Sequence, residues 1–345
     1  MIKYSKSLGN LIQYKNDFFA NNEISRENAE KVANIYASQP LRNTCKNCDN
    51  TLKKDSSNSF SLQGIYYYFC TSCGHLNGAH EDTEKFCEYI YAEDDGKNYS
   101  ANYTPEDKKE YLSRTRDIYL PKAKFLKEAL EEVNRFPVSL SDFGAGAGYF
   151  IAAAKQTGFK EIIGFEPSKS LSDLGNKISE ENIIKTHSLT EIDDLIESAT
   201  SEVASFIGVL EHLQNPRNAL NSIRKNKHIN FLYISVPLFS PTVVIESMFP
   251  ESTTRHLAGG HTHLYTEQSI DYFCDEFGFK RISEWWFGLD ITDFYRSILI
   301  STQKNNETVL SEYWESSFLP LIDNLQASLD NNKTCSEVHM LLQKT

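Results

Sequence analysis

The 345-residue sequence has no long hydrophobic run and no excess of positive charge. Its longest apolar stretches, such as residues 231–239, are far shorter than the roughly 20 residues that span a bilayer. The N-terminus also lacks the apolar core of a secretory signal, so we expect a cytoplasmic protein without membrane contact. The net charge of −12 repels phosphate backbones and disfavours nucleic acid as a partner. A small-molecule partner is therefore expected.

A glycine-rich turn is the most informative feature that the sequence does contain. Gly144, Gly146 and Gly148 alternate with alanine in DFGAGAGYF, residues 142–150. Apolar residues before this stretch suit a buried strand, and those after it suit the start of a helix. Because glycine permits positive φ and has no Cβ, a ligand can approach the backbone and the helix N-terminus here. The turn therefore predicts a nucleoside-binding site.

The spacing of the glycines separates two classes of nucleoside cofactor. A dinucleotide fingerprint, G-x-G-x-x-G, requires glycine at position 149, where this chain has Tyr149. A nicotinamide dehydrogenase is therefore the weaker interpretation. A second apolar run ends at Glu166, where a carboxylate can accept hydrogen bonds from two ribose hydroxyls. The same carboxylate could instead only cap the helix that follows at 167–168.

Four of the seven cysteines form two C-x-x-C pairs separated by 21 residues. This spacing is typical of structural zinc sites, in which four thiolates complete a tetrahedron. Two disulfides are the alternative, and a reducing cytoplasm disfavours them. Since four thiolates suffice, His75, His80 and Cys87 are expected to serve folding or an interface. The predicted zinc ligands are Cys45, Cys48, Cys70 and Cys73.

Five separated motifs occur in an order and at spacings that resemble class I S-adenosylmethionine-dependent methyltransferases. The resemblance spans about residues 115–302 and implies S-adenosylmethionine as the cofactor. The motifs are D-x-G-x-G-x-G from Asp142, Glu166, VLEHLxNP at 209–216, FLYISVP at 231–237, and GHxHLYT at 260–266 with FGF at 277–279. The implied cofactor-binding residues are Asp142, Gly144, Gly146, Gly148, Glu166 and Glu211. Glu211 could instead organise its own loop.

The resemblance also implies the architecture. Segments that suit strands and helices alternate after residue 114, which predicts an α/β fold with a doubly wound parallel sheet. The family implies a Rossmann-like, seven-stranded sheet in the order 3-2-1-4-5-7-6 with an antiparallel seventh strand, here joined to a small N-terminal zinc-binding domain. We predict strands near 139–143, 161–166, 182–185, 203–208, 230–236, 279–285 and 297–302.

Several domains follow from these assignments. An insert at 237–275 opens at the carboxyl edge of the sheet and should form part of an acceptor pocket. The apolar face of the tail helix predicts core packing or dimerisation, so a monomer or a homodimer is expected. The predicted segments are a helical segment at 1–40, the zinc-binding module at 41–91, a linker at 92–113, the methyltransferase domain at 114–302, and a C-terminal helix and closing segment at 303–345.

Two histidines are candidate catalytic residues. Methyl transfer needs a base only when the acceptor is a hydroxyl or an acidic carbon, and histidine suits that task near neutral pH. His212 follows the fourth strand and His261 lies in the insert, with loop capping or packing as the alternative for each. Tyr99 and Tyr103 in the linker could cover the active site or simply pack.

A metal site among the histidines of the insert is disfavoured by the sequence. His256, His261 and His263 fall within eight positions, but no carboxylate or cysteine completes a convincing ligand set nearby in the chain. Hydrogen bonding, packing or acceptor binding is the favoured role for these side chains.

The combination of a four-cysteine module, a tyrosine-bearing linker and a histidine-containing insert is similar to the zinc-containing C-methyltransferases of deoxysugar biosynthesis. That subgroup acts on nucleotide-linked keto sugars, which implies a nucleotide sugar as the acceptor. His261, His212 and either Tyr99 or Tyr103 match its catalytic residues, but Gly260 replaces the glutamate that precedes the first of these histidines. C- and O-methylation therefore both stay open. A catalytically silent scaffold that binds a partner is the alternative to an enzyme.

Overall fold

The computed structural model describes residues 1–7, 21–91, 107–257 and 261–345, and the strands within these ranges form two sheets. The main sheet contains β1 (Ile2–Tyr4), β5 (Leu140–Phe143), β6 (Ile162–Glu166), β7 (Ile184–Thr186), β8 (Val203–Ile207), β9 (Phe231–Pro237), β11 (Phe279–Phe287) and β12 (Glu337–Lys344). The smaller sheet contains β2 (Ser59–Leu62), β3 (Ile65–Phe69), β4 (Leu76–Gly78) and β10 (His263–Leu264).

Helices cover both faces of the main sheet and connect its strands. Within the described ranges, none of them has the length and apolar character needed to cross a membrane. The α-helices are α1 (Asn22–Ala37), α2 (Glu84–Tyr91), α3 (Lys108–Arg114), α4 (Leu120–Glu132), α5 (Tyr149–Thr157), α6 (Lys169–Ser179), α7 (Ile192–Ser198), α8 (Pro216–Lys225), α9 (Pro241–Met248), α10 (Glu267–Phe277), α11 (Asp290–Lys304), α12 (Thr308–Phe318) and α13 (Ile322–Asn331). Shorter helical turns lie at Thr115–Tyr119, Leu189–Glu191, Leu210–His212 and Leu319–Leu321.

The main sheet confirms the predicted Rossmann-like fold. Its strands lie in the order β1-β11-β12-β9-β8-β5-β6-β7. When β5 is counted as the first strand, this is the order 3-2-1-4-5-7-6 read from β7, with β1 added beyond the sixth strand. The strands from β5 to β9 pair in parallel, and β12 is antiparallel to both of its neighbours. The carboxyl ends of the parallel strands therefore meet at one edge, where ligands bind in such sheets.

The seventh strand does not lie where the sequence predicted it. Residues 297–302 belong to α11, and β12 takes the position between β9 and β11. Residues 338–342 of β12 are buried along the whole run, whereas residues 298–300 are only half-buried. A short apolar run fits either a strand or a helix, and pairing with distant strands decided which segment entered the sheet.

Stacked phenylalanines from adjacent strands build the core on one face of the main sheet. Phe143 of β5 stacks on Phe165 of β6 and on Phe206 of β8, with ring centroids 5.1 and 4.9 Å apart. The central strand β9 is buried along its entire length. Burial on both faces explains its unbroken apolar sequence and holds the carboxyl ends of the strands in fixed positions.

The smaller sheet joins the cysteine-containing segment to the insert that follows β9. β2, β3 and β4 form an antiparallel meander, and β10 from the insert adds to β4. The amide of Gly78 donates a hydrogen bond to the carbonyl of Thr262 at 2.8 Å. Leu76, Leu257 and Leu264 are fully buried in one shared apolar core. The cysteine-containing segment thus fixes the insert above the carboxyl edge of the main sheet.

Candidate functional site

A cavity of about 320 Å³ lies at the carboxyl edge of the main sheet. The turn after β5 and the ends of β6, β8 and β9 form much of its wall, and residues of the insert and of α2 complete it. Gly148 lies beside it, as the N-cap of α5. The predicted site residues that line the cavity are Asp142, Gly144, Gly146, Glu166, Glu211, His212 and His261.

The three glycines of the turn differ in what surrounds them. Gly144, Gly146 and Gly148 have φ of 73°, 55° and 76°, in the left-handed region that favours glycine. A Cβ on Gly144 would lie 2.4 Å from Val209 Cγ2, and one on Gly148 would lie 2.8 Å from Ile184 Cδ1. A Cβ on Gly146 would meet no protein atom within 4 Å. Gly144 and Gly148 are thus held by packing, whereas Gly146 presents bare backbone to open space in the cavity wall.

Glu166 ties the glycine turn to the next helix. One carboxylate oxygen accepts a hydrogen bond from the amide of Gly146 at 2.7 Å, and the other accepts from the amide of Ser168 at 2.9 Å. Burial raises the pKa of this carboxyl to about 6, against the opposing effect of these two amides. The helix-capping role weighed from the sequence is therefore present, and it occurs together with a contact to the turn that lines the cavity.

Asp142 lies at the base of the cavity, on β5. Its carboxylate accepts a hydrogen bond from the Ser205 hydroxyl at 2.6 Å. Burial raises the pKa of Asp142 to about 7, and the hydrogen bond from Ser205 only partly offsets this effect. The side chain joins two neighbouring strands directly beneath the glycine turn.

On the other side of β5 from Glu166, His212, which follows β8, lies together with His261. Their rings stack with centroids 5.0 Å apart. Nδ1 of His212 lies 2.6 Å from the hydroxyl oxygen of Tyr91, the last residue of α2. The structure therefore brings together the two histidines that the sequence singled out, from the β8 loop and from the insert, and adds a tyrosine from the cysteine-containing segment.

Hydrogen bonds to carbonyl oxygens fix the tautomers of two histidines, His261 and His256. Nδ1 of His261 donates to the carbonyl of His256 at 2.8 Å, and Nε2 of His256 donates to the carbonyl of Leu238 at 2.5 Å. Burial lowers the pKa of His261 to about 4, so its ring is neutral near pH 7. A neutral ring protonated at Nδ1 carries its lone pair on Nε2, which can accept a proton or bind a cation.

Glu211 contributes a buried carboxyl group to the same end of the cavity. Its Oε1 lies 3.9 Å from Nε2 of His212. Its Oε2 has no hydrogen-bond partner among the residues described. Burial raises the pKa of Glu211 to about 8. Glu211 therefore lies beside His212, on the other side of β5 from Glu166.

A family model described as "Methyltransferase domain" matches residues 111–284, which is half of the chain. The chain belongs to the class I methyltransferase family. The methyltransferase domain resembles several solved structures in fold alone. The plantazolicin methyltransferase BamL, solved with a desmethyl analogue and SAH, is 13% identical over 75% of this chain and 94% of that one, with a TM-score of 0.46. The magnesium protoporphyrin IX methyltransferase of Synechocystis PCC 6803 with bound SAH is 11% identical over 75% and 97%, with a TM-score of 0.44. No curated protein matches the chain significantly.

The four cysteines outside the methyltransferase domain form one buried cluster. The Sγ atoms of Cys45 and Cys73 are 3.6 Å apart, as are those of Cys48 and Cys70, and all four lie within 4.8 Å of one another. These separations exceed a disulfide bond and approach the roughly 3.8 Å between thiolates that share a tetrahedral zinc ion at 2.3 Å. All four cysteines are unbonded to one another. The amide side chain of Asn77 also donates to Cys45 Sγ at 3.5 Å.

The other residues singled out from the sequence either lie elsewhere in the fold or fall outside the described ranges. His263 contacts His75 instead of the cavity, with Nδ1 and Nε2 2.8 Å apart. Tyr99, Tyr103 and Gly260 lie outside the described residues.

Sequence reasoning missed Tyr91 and Glu337, which both line the cavity. A tyrosine directly before the tyrosine-bearing linker was an available signal for Tyr91. Glu337 enters through β12, whose place in the sheet depends on its long-range pairing with β9 and β11.

Proposed function

We propose that the protein transfers a methyl group from S-adenosylmethionine to a small polar acceptor. The observation that carries the proposal is the open backbone at Gly146, with Glu166 behind it, in the same cavity as His212 and His261. When bound, S-adenosylmethionine supplies an electrophilic methyl group on a sulfonium. The transfer breaks the sulfur–methyl bond, forms a bond from that carbon to the acceptor atom and releases neutral S-adenosylhomocysteine together with the acceptor's proton.

The residues present fit the nucleoside part of this cofactor. Bare backbone at Gly146 leaves room for the cofactor where any side chain would intrude. Each oxygen of Glu166 accepts one amide hydrogen bond and retains a further lone pair for a ribose hydroxyl. Asp142 supports this arrangement through Ser205 and reinforces the turn from below.

The histidine end of the cavity suits the acceptor. In-line displacement requires the acceptor atom to be held against the methyl carbon with water excluded, and the base matters only if the acceptor loses a proton. His261, whose ring is neutral, and His212, which Tyr91 orients, are the groups we assign to orienting the acceptor and handling that proton. Their position at the carboxyl edge, on the other side of β5 from Glu166, supports this assignment.

A nucleotide-linked sugar is the acceptor that we favour within this class. The support is the resemblance of the chain to deoxysugar C-methyltransferases, together with a cavity whose acceptor end is lined by imidazole, phenol and carboxyl groups. Either carbon or oxygen of the sugar could receive the methyl group. A polar acceptor of this kind also agrees with the acidic charge of the chain, which disfavours polynucleotides.

The cysteine cluster is assigned a structural zinc ion. Four buried thiols within 4.8 Å supply the donor set of a closed site, and none of these four cysteines lines the cavity. Because β4 of this segment pairs with β10 of the insert, the ion would stabilise the wall of the acceptor end. Its role is therefore to hold the insert in place.

Turnover with methyl-labelled S-adenosylmethionine and a panel of nucleotide sugars tests the proposed activity. We expect S-adenosylhomocysteine and a methylated acceptor in equal amounts. His212→Gln should reduce turnover strongly, whereas the exposed His228→Gln, outside the cavity, should not. Cofactor binding without transfer to any acceptor would favour the silent scaffold instead.

A further inference from the structure

We propose that Glu211, His212 and His261 bind a divalent transition-metal ion at the acceptor end of the cavity. One ligand atom from each of the three lies within 4.8 Å of the other two. Two imidazoles and one carboxylate form a donor set that suits Zn²⁺, Mn²⁺, Fe²⁺ or Co²⁺ and leaves coordination positions open. This site is distinct from the four cysteines, and its ligands come from two segments that are fifty residues apart in the chain.

Both imidazoles are oriented as ligating histidines usually are. A metal-bound imidazole commonly uses its other ring nitrogen for a hydrogen bond to an oxygen, which fixes the ring and its tautomer. Nδ1 of His261 donates to the carbonyl of His256, so the lone pair is on Nε2. Nδ1 of His212 lies 2.6 Å from the oxygen of Tyr91, and its Nε2 faces Glu211. The outer partners of both ligands are therefore already in place.

The carboxyl group of Glu211 supplies an independent indication of a cation. The side chain is 3% exposed, and its Oε2 has no hydrogen-bond partner in the part of the chain that is described. A buried carboxyl oxygen without a partner is costly, and a bound cation removes that cost. Glu211 lines the cavity, so an ion there could be reached by a ligand.

The ligand atoms must move closer together to share an ion. With metal–ligand bonds of about 2.1 Å, adjacent ligand atoms lie about 3.0–3.4 Å apart. The separation between Glu211 Oε1 and His212 Nε2 is 3.9 Å, and all three ligand atoms lie within 4.8 Å of one another. The contraction required is therefore at most about 1.8 Å for any pair.

The catalytic meaning of this ion depends on the proposed function. An oxygen of the acceptor that binds the ion would be held next to the methyl donor, and the pKa of a bound hydroxyl would fall. The two histidines would then act through the ion instead of accepting the proton themselves. Acceptors with a hydroxyl or carbonyl oxygen beside the methylated atom are the class that this arrangement selects.

A manganese titration of the full-length protein, loaded with a single zinc ion per chain for the cysteine cluster, tests the ion site. Mn²⁺ binds thiolates poorly and stands below Zn²⁺ in affinity, so it leaves the cysteine cluster to zinc. Counting free Mn²⁺ by electron paramagnetic resonance should reveal one Mn²⁺ bound per chain. Glu211→Gln and His261→Gln should each weaken binding at least about tenfold. His228→Gln, at an exposed histidine, should bind Mn²⁺ like the parent protein.

Tyr91→Phe provides a second kind of variant, which keeps every proposed ligand. Loss of an outer hydrogen-bond partner should weaken Mn²⁺ binding about 10- to 100-fold. Absence of Mn²⁺ binding by the parent protein, or equal binding by folded Glu211→Gln, overturns the ion site. Calorimetry with S-adenosylhomocysteine in the absence of Mn²⁺ reports on the proposed function separately. If the protein binds S-adenosylhomocysteine but not Mn²⁺, the ion site is rejected and the proposed function is not.

Discussion

The carboxylate of Glu166 accepts a hydrogen bond from the amide of Gly146 at 2.7 Å. This contact joins the end of β6 to the turn that follows β5, so Glu166, the proposed ribose acceptor, and the bare backbone of Gly146 form one unit. Since the second oxygen of Glu166 holds the amide of Ser168, the unit extends to the start of α6. Changes at either residue should therefore affect cofactor binding and the local fold together.

Gly146→Ala should weaken S-adenosylhomocysteine binding more than it weakens the fold. The new Cβ meets no protein atom within 4 Å but projects into the cofactor space, and left-handed backbone costs alanine about 1–2 kcal/mol. Gly144→Ala is the matched control, because its Cβ would overlap Val209 and destabilise the protein further. Thermal unfolding and calorimetry on both variants distinguish the two effects. Equal affinity of Gly146→Ala and the parent protein would argue against the assigned cofactor position.

The contribution of Asp142 to the stability of the ligand-free protein should fall as the pH rises from about 4 to about 7. Burial raises the pKa of Asp142 to about 7, whereas the unfolded chain ionises near pH 3.9. The folded state therefore keeps a proton that the unfolded state has released, and this contribution is lost as the pH rises through the folded pKa. The shift corresponds to about 4 kcal/mol. Glu166, with its pKa raised to about 6, acts in the same direction.

Asp142→Asn isolates this contribution from the other titrating groups. Urea denaturation at both pH values should give a smaller difference in unfolding free energy for the variant than for the parent protein, because the amide does not ionise. The carbonyl of asparagine can still accept the hydrogen bond from Ser205. An identical pH dependence in the two proteins would show that Asp142 is not buried as a protonated acid.

Cys45→Ser should release zinc and loosen the acceptor wall. Loss of one thiolate opens the predicted four-ligand site, and the pairing of β4 with β10 transmits the change to the insert. Metal analysis should find less than one zinc ion per chain, and the rate of amide hydrogen exchange should rise at residues 263–264. Cys87→Ser removes a buried cysteine outside the cluster and should keep its zinc. Parent protein that was never oxidised and yet contains no zinc would refute the assignment.

His212→Gln should separate chemistry from cofactor binding. A residue that orients or deprotonates the acceptor contributes about 10²- to 10⁴-fold to the rate. We therefore expect kcat to fall in that range while the affinity for S-adenosylhomocysteine stays the same, because His212 follows β8 and Glu166 ends β6, on opposite sides of β5. A loss of cofactor affinity with unchanged kcat would assign His212 to cofactor binding instead of the reaction.

Local sequence patterns were sufficient for the central part of the fold. Alternating strand and helix patterns, the glycine turn and the apolar run of β9 each follow from nearby residues, and the sheet order came from the family resemblance. The seventh strand was misplaced because the run at 297–302 resembles a strand as closely as 337–344 does. The edge strand β1 has only three residues and depends on pairing with β11.

The site was predictable where one motif carries its residues and less so where distant segments meet. Gly146 and Glu166 follow from spacing along the chain. The sequence around the insert histidines did not predict a metal site, because the carboxyl group that approaches His261 belongs to Glu211, fifty positions away. Tyr91 was missed for the same reason, since its contact with His212 joins residues 121 positions apart.

Calorimetric titration of the full-length protein with S-adenosylhomocysteine tests the central claim most directly. The account predicts binding of close to one molecule per chain, with affinity reduced sharply by Glu166→Ala and unchanged by Glu181→Ala, an exposed carboxylate paired with Lys155. No binding by well-folded protein, or equal binding by Glu166→Ala, would contradict it.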